Sequence, residues 1–432
     1  MSRPGTSAQH ITPYDRFAWS DVEVERMLVS GEQGQELTAY FGDTEYVDLV
    51  RLARKAERIG ASDASHHVVV VPGILGSQLG IARPPPLPDD VLWLDPIDIQ
   101  VGRLRLLGLD AGAPIIPLGV VLYSHLKLRL RLRAAGFAVT FHDYDWRLGI
   151  EESGAALAQR LRQLGSRRLA IVAHSMGGLL TRTALTLPGT QHVERVVLLG
   201  TPNQGSFAPV QVLRGTYATV RKIARLDGAT TAERLTEEVF NSFPSLYQMV
   251  PTAGGKGVAD LLDPGAWPDS GPPLRLPLLE RARHFREGLP PADERCVAVA
   301  GVGQQTVTAV SKVRDGFTYT ITRHGDGTVP VNGAALGTAN TYFTRTAHSE
   351  LTRDAQVASA IVDILRKGST RRLPRRWASK SRAQARITDR ALRREHAGKV
   401  DWASLTPLER RDFLQSLNEP LQLRLRVPAT PR

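Results

Sequence analysis

The sequence predicts an α/β fold: a mostly parallel sheet with helices on both faces and an inserted cap. Apolar runs too short to be helices recur at 67–71, 137–141, 169–173 and 193–199, with helical patterns between them. Such alternation builds a parallel sheet whose strands are buried on both faces. The rhythm breaks over 207–295, where short helical pieces and Gly- and Pro-bearing loops replace it, and resumes at 296–302.

At 432 residues, 42% hydrophobic and 23% charged, the chain can bury a large core and still carry appendages. Cys296 is the only cysteine, which excludes an intrachain disulfide and a thiolate-cluster metal site. The net charge of +12 is local: residues 366–399 hold thirteen Lys and Arg against Asp389 and Glu395. Residues 1–15 are polar, carry Pro4 and Pro13, and do not read as a conventional signal peptide. No apolar segment reaches the roughly 20 residues that span a bilayer. The expected location is the cytoplasm, peripheral to a membrane if the basic tail binds one.

Taken in order, residues 1–15 read as an extended arm within a helical N-terminal extension, 1–65. Ser20 or Asp21 caps a short helix to about Val29, ended by Gly31 and Gly34. A second helix starts at Asp43 or Thr44 and carries an apolar face to Ile59; the pair is expected to cover one edge of the core. The strand at 67–71 runs into Pro-Gly-Ile-Leu-Gly-Ser-Gln-Leu at 72–79, where Gly73 and Gly76 permit a tight turn with N–H groups facing a site. No Gly-Lys-Ser/Thr follows, which excludes a phosphate loop. Residues 91–120 read as short strands or loops over the core. Leu126, Leu128, Leu130 and Leu132 alternate with basic residues, which fits a helix over 125–134 or a strand. A helix at 152–164 follows, and residues 306–310 and 317–322 suit a hairpin. The core is expected over 66–206 and 296–367, around the cap at 207–295, with a basic, partly helical extension over 368–432.

The strand at 169–173 leads into His-Ser-Met-Gly-Gly at 174–178, a Gly-x-Ser-x-Gly pattern with His in the first position. A strand before and a helix after put Ser175 on a sharp turn with its hydroxyl exposed. Gly177 removes a side chain where strand and helix approach, and the helix start supplies free N–H groups. His-Gly-Asp-Gly-Thr-Val-Pro at 324–330 places Asp326 in a Gly-supported turn, where its carboxylate can orient an imidazole. His348 follows a strand at 341–346 and precedes a helix expected to begin near Ser349, with Leu351, Val357, Ile361 and Leu365 on its core face. Ser175, Asp326 and His348 therefore stand in the chain order of an α/β hydrolase. His324 is too near Asp326 along the chain for the base, and His174 reads as packing beside the elbow. In this reading Ser175 attacks an ester carbonyl, His348 takes its proton and Asp326 orients His348. The N–H groups of Met176 and Ile74 form the oxyanion hole. The chemistry calls for no metal and no cofactor.

These residues resemble the lecithin:cholesterol acyltransferase family, with its lysosomal phospholipase and phospholipid:diacylglycerol acyltransferase relatives. The resemblance rests on the 72–79 segment, Tyr-Asp-Trp-Arg-Leu at 144–148, Ala-His-Ser-Met-Gly-Gly at 173–178, Gly-Thr-Pro-Asn-Gln-Gly-Ser at 200–206, Gly-Asp-Gly-Thr-Val-Pro at 325–330 and His348, in that order. It implies the triad Ser175, Asp326 and His348, the oxyanion donors Ile74 and Met176, and a cap over an acyl site. By the same resemblance Asp145, Trp146 and Arg147 are a structural or substrate-proximal cluster, with a buried Asp–Arg pair supporting the site favoured over direct catalysis. It implies cleavage of a phospholipid acyl ester and, in some relatives, transfer of the acyl group to an alcohol. Secreted relatives carry disulfides, whereas this chain has no cysteine near Trp93 or in the cap, which fits a bacterial-like intracellular relative.

The expected function is a serine-dependent lipolytic acyl-ester hydrolase, phospholipase-like and open to acyl transfer. A non-lipid carboxylesterase or specialised acyl-ester hydrolase is the alternative, and a catalytically silent scaffold a third, against which the intact triad argues. Beyond the acyl ester, residues 366–399 suit an anionic membrane surface or an acidic partner, set against a plain solvated helical extension. Trp377 is the tail's only aromatic residue and no nucleic-acid motif is present, so no nucleic-acid partner is expected. Leu408, Phe413, Leu414 and Leu417 are expected to dock on the core or a partner.

Overall fold

The computed structural model describes residues 11–17, 19–60, 63–165, 168–252, 260–336, 340–379, 381–395 and 397–427; the first ten residues of the expected arm lie outside them. The strands are β1 Asp63–Val71, β2 Ser77–Ile81, β3 Asp90–Trp93, β4 Ile116–Val120, β5 Phe137–Phe141 and β6 Arg168–His174. They continue as β7 Val193–Leu199, β8 Cys296–Gly301, β9 Thr306–Val313, β10 Gly316–Thr322, β11 Thr341–Thr344 and β12 Ala385–Thr388. The helices that matter below are α1 Asp21–Ser30, α2 Gly34–Phe41, α3 Asp43–Ile59, α4 Leu122–Arg133 and α5 Ile150–Leu164. With them come α6 Met176–Leu185, α7 Ala218–Leu226, α8 Ala355–Lys367 and α9 Pro407–Ser416.

Six strands form one sheet in the order β11–β8–β7–β6–β1–β5, and every neighbouring pair is parallel. Strand side chains alternate between its faces. Val69, Val71, Ile171 and Leu198 enter one core with Leu157 of α5 and Leu180 of α6. Val68, Val70, Val172 and Val197 enter the other with Leu132 of α4 and Ile361 of α8. Burial on both faces is why these strands read as continuous apolar runs. The fold is that of an α/β hydrolase.

Helix α4 explains its own ambiguous spacing. Leu128 and Leu132 pack on the sheet, while Leu126 and Leu130 pack on α1 and α3. Each pair is spaced i,i+4 and faces a different layer, so a helix buried on two sides imitates a strand's alternation. The N-terminal helices therefore lie over α4 as a third layer, rather than along an edge of the core. Gly31 caps α1 in the left-handed region at φ 87°, but Gly34 opens α2, a helix the sequence reading passed over. Residues 90–120 supply β3 and β4, which flank β2 in a small antiparallel sheet, β3–β2–β4. Helix α8 begins at Ala355, capped by Asp354, later than the expected start near Ser349; a 3-10 turn over His348–Glu350 comes first.

The basic tail is not a solvated helix. Its β12 pairs antiparallel with β10, which pairs with β9 in the expected hairpin. Asp389, just beyond β12, is 1% exposed and accepts hydrogen bonds from Arg214 Nε (3.0 Å) and the Tyr319 hydroxyl (2.7 Å). Lys399 Nζ donates to the carbonyls of Ala224 (2.9 Å) and Thr230 (2.6 Å) at the end of α7. Arg375 stacks over the Tyr342 ring at 5.0 Å. Phe413, Leu414 and Leu417 pack on the first core, while Leu408 stays exposed. No helix among the described residues is long and apolar enough to cross a membrane.

Asp389→Ala should strand the Arg214 guanidinium, which is itself buried, and cost about 3–5 kcal/mol. A urea unfolding midpoint within error of the parent's would show that the tail does not hold the body together.

Candidate active site

Strand β6 ends at His174 and α6 begins at Met176, so Ser175 is the single residue of the turn. Its backbone stands at φ 53°, ψ −127°, a strained conformation for a residue with a side chain. Two hydrogen bonds hold it there: Ser175 N–H to the Leu199 carbonyl (2.8 Å) and Gly178 N–H to the Ser175 carbonyl (3.0 Å). Gly177 lies directly against the end of β1. A Cβ there would stand 2.4 Å from the Pro72 carbonyl oxygen and 2.7 Å from that of Val71.

The turn after β10 delivers Asp326, 1% exposed. Its Oδ1 accepts from the N–H groups of Thr328 (2.9 Å) and Val329 (2.7 Å). Its Oδ2 lies 2.8 Å from His348 Nδ1, and His348 N–H donates to the Asp326 carbonyl at 2.9 Å. His348 Nε2 lies 3.0 Å from Ser175 Oγ. A carboxylate only accepts, so Nδ1 carries the imidazole proton and Nε2 is left to accept from the serine hydroxyl. The structure thus brings Ser175, His348 and Asp326 together in one hydrogen-bonded line.

Across from Ser175, the β1 strand ends in a tight turn closed by Gly76 N–H to the Gly73 carbonyl, with Leu75 at φ 63°. Ile74 sits in that turn and lines the pocket that holds Ser175. Met176 is the first residue of α6, where N–H groups have no partner within the helix. Among the described residues, no protein acceptor engages the N–H of Ile74 or of Met176. The pocket encloses about 140 Å³, and Val212, Val220, Phe240, Leu246 and Met249 give it apolar walls from the inserted segment.

Asp145, Trp146 and Arg147 do not line this pocket. Arg147 grips Asp145 through two bonds of 2.9 and 2.7 Å and donates to the Leu107 carbonyl at 2.8 Å. Trp146 Nε1 donates to the Ser77 carbonyl at 3.0 Å, with its ring between Trp93 and Phe243. The cluster braces the segment after Gly76. His324 is exposed and meets the Trp377 ring, 5.5 Å centroid to centroid. His174 is half-buried beside His348: its Nε2 lies 3.0 Å from the His348 carbonyl and its ring 4.8 Å from that of His348. Burial foremost, then the neighbouring His348 and His125, pushes the His174 pKa well below the usual histidine value. Neutral His174 therefore donates from Nε2 and anchors the His348 turn.

Three residues at the site were given no role of their own in the sequence reading. Gly200, at φ 56°, leaves room for the His348–Asp326 hydrogen bond, since a Cβ there would stand 3.0 Å from both Asp326 Oδ2 and His348 Nδ1. Its place at the end of an apolar strand was a usable signal. Tyr217 and Asn418 also line the pocket, and nothing in their local sequence marks them. Among the described residues, no group of three or more His, Cys, Asp or Glu side chains is placed to hold a metal ion.

Residues 135–272 match the lecithin:cholesterol acyltransferase family. A chain in the crystal structure of the Tle4–Tli4 complex is similar at 15% identity and a TM-score of 0.43, over 71% of this chain and 99% of its own. The mature form of Bacillus licheniformis lipase BlEst2 is similar at 15% identity and a TM-score of 0.38, over 70% of this chain and 93% of its own. No curated protein sequence matches.

His125 and His142 are both held neutral by burial, with pKa values pushed down to about 4. As pH falls below the unfolded value of 6.5, the unfolded chain takes up protons that the folded chain refuses until about 4. Their contribution to stability is therefore complete above 6.5 and is lost through that window, by about 1.4 kcal/mol per pH unit for each histidine. His125→Gln should flatten the slope of unfolding free energy between about pH 6.5 and 4.5. An unchanged slope in urea titrations would contradict this account.

Proposed function

From a chain that is lecithin:cholesterol acyltransferase-like over residues 135–272 and an α/β hydrolase in fold, we infer a serine-dependent acyl-ester hydrolase of lipolytic type. One observation carries the reading: the Asp326–His348–Ser175 line, at 2.8 and 3.0 Å, opening on an apolar pocket that Ser175 and Ile74 line.

In the proposed mechanism His348 Nε2 takes the Ser175 proton as Oγ attacks the ester carbonyl. Asp326, buried and twice bonded to backbone N–H groups, stays a fixed acceptor and stabilises the imidazolium. The N–H groups of Ile74 and Met176 receive the oxyanion; they face it without first giving up another partner, which is what makes such donors effective. His348 then protonates the leaving alcohol, and water or a second alcohol attacks the acyl-enzyme. Residues 207–295 act as the cap, and their apolar side chains receive the acyl chain.

The pocket's modest volume, about 140 Å³, favours a non-lipid carboxylesterase as the second reading. For location we propose the cytoplasm. Arg371, Arg376, Arg382, Arg386, Arg390 and Arg394 are exposed, and we propose that the tail's positive charge serves peripheral contact with an anionic membrane or an acidic partner.

Turnover of mixed-lipid vesicles and of soluble esters, with products identified by mass, tests the reading. Ser175→Ala should lower kcat at least about 10⁴-fold, and Asp326→Asn about 10³- to 10⁴-fold. Release of fatty acid, or its appearance on an added alcohol, separates hydrolysis from transfer. Cleavage of soluble esters alone would remove the lipid assignment, and turnover that survives Ser175→Ala would remove the mechanism.

A further inference from the structure

A second cavity of about 570 Å³ adjoins the Ser175 pocket; Leu75, Ser124, Ser349 and Asn418 line both. Its far walls come from the two ends of the chain, outside the six-stranded core. Tyr14 and Tyr40 come from the N-terminal end, and Arg410, Arg411 and Leu414 of α9 from the C-terminal end. The α9 end is tied down: Thr219 Oγ1 donates to the Leu417 carbonyl at 2.8 Å, and Lys222 Nζ to the Glu419 carbonyl at 3.2 Å. Asn418, between these two, faces the serine pocket.

The charges in this cleft do not cancel. Arg353 is paired with Glu350 at 3.1 Å and Glu45 at 3.4 Å. Glu419 is the other acid in the wall, and Lys222 lies near it. Arg410 donates to the carbonyls of Trp402 (3.1 Å) and Ala403 (3.0 Å), which orient the guanidinium without neutralising it. Arg411 lies against the α2–α3 turn, where a Cβ on Gly42 would stand 3.1 Å from Nη1. Among the described residues it has no hydrogen-bond or ion-pair partner. Two unneutralised guanidiniums thus share a cleft with Trp93, Leu94 and Leu414.

We infer that this cleft binds the anionic polar part of an amphiphilic acyl ester, with Arg411 as the anion's ligand, while the ester carbonyl reaches Ser175 through the shared wall. The inference rests on the proposed function and deepens it. It gives the two terminal extensions a task, building a subsite that the core and cap do not supply. An arginine fork suits a phosphate or carboxylate group, and the aliphatic and aromatic wall suits the adjoining chain.

Binding to the Ser175→Ala protein separates this claim from turnover. Calorimetry with octyl phosphate should give saturable binding, about tenfold tighter than with octyl glucoside, the worth of one charge-assisted hydrogen bond, and tighter than with inorganic phosphate, which lacks the chain. Adding Arg411→Gln should remove that tenfold advantage, and Arg411→Lys should retain most of it. Equal octyl phosphate affinity with and without Arg411→Gln overturns the inference. Inorganic phosphate bound as tightly as octyl phosphate overturns it as well, in favour of a free-anion site. Since no arm needs catalysis, failure of the esterase reading would appear in the turnover assay and leave these outcomes distinct.

Discussion

Helix α6 passes so close to the end of β1 that only hydrogen fits between them at Gly177, where a Cβ would stand 2.4 Å from the Pro72 carbonyl oxygen. That contact sets the sharpness of the turn at Ser175 and brings the 72–76 loop over its hydroxyl. The strained backbone at Ser175 costs on the order of 1–3 kcal/mol. It persists because the strands on both sides of β6 and the apolar face of α6 over-determine it. Gly73 repeats the constraint from the opposite side, since a Cβ there would stand 2.7 Å from Ser175 Cβ.

Asp326 and His348 arrive by separate routes and are locked by similar means. A Cβ on Gly301 would stand 2.4 Å from Asp326 Cβ, so the end of β8 must also be bare. Gly200, at the end of β7, clears the space around the His348–Asp326 bond. The carbonyl ends of β6, β7 and β8 therefore each present a glycine or the strained serine toward one point. Ligands gather at such strand ends in open α/β sheets. His174 adds a hydrogen bond from the strand that leads to Ser175 to the turn that carries His348, so the two are held as one unit.

Much of this was legible because the informative residues are local. The apolar runs at 137–141 and 193–199 coincide with β5 and β7 as folded, since strands buried on both faces leave no polar alternation to mislead. Ser175, Asp326 and His348 each stand in a turn flanked by glycine or by a strand end, and the structure brings all three within hydrogen-bonding distance. What was not legible depends on distant partners. The leucines of α4 gave two readings because two layers bury them. The tail's charge suggested solvent, yet Asp389, Arg375 and Lys399 find their partners on β10, at the Tyr342 ring and at the end of α7. Nothing near Asn418 announces that it lines the pocket of a serine far earlier in the chain.

The central claim is that Ser175 is a nucleophile activated by His348. The most direct measurement is the intact mass of the protein after brief exposure to an alkyl fluorophosphonate at neutral pH, followed by mapping of the modified peptide. The account predicts one adduct, located on Ser175, absent in Ser175→Ala and formed far more slowly in His348→Ala. An unmodified protein, or an adduct that persists in Ser175→Ala, would contradict it.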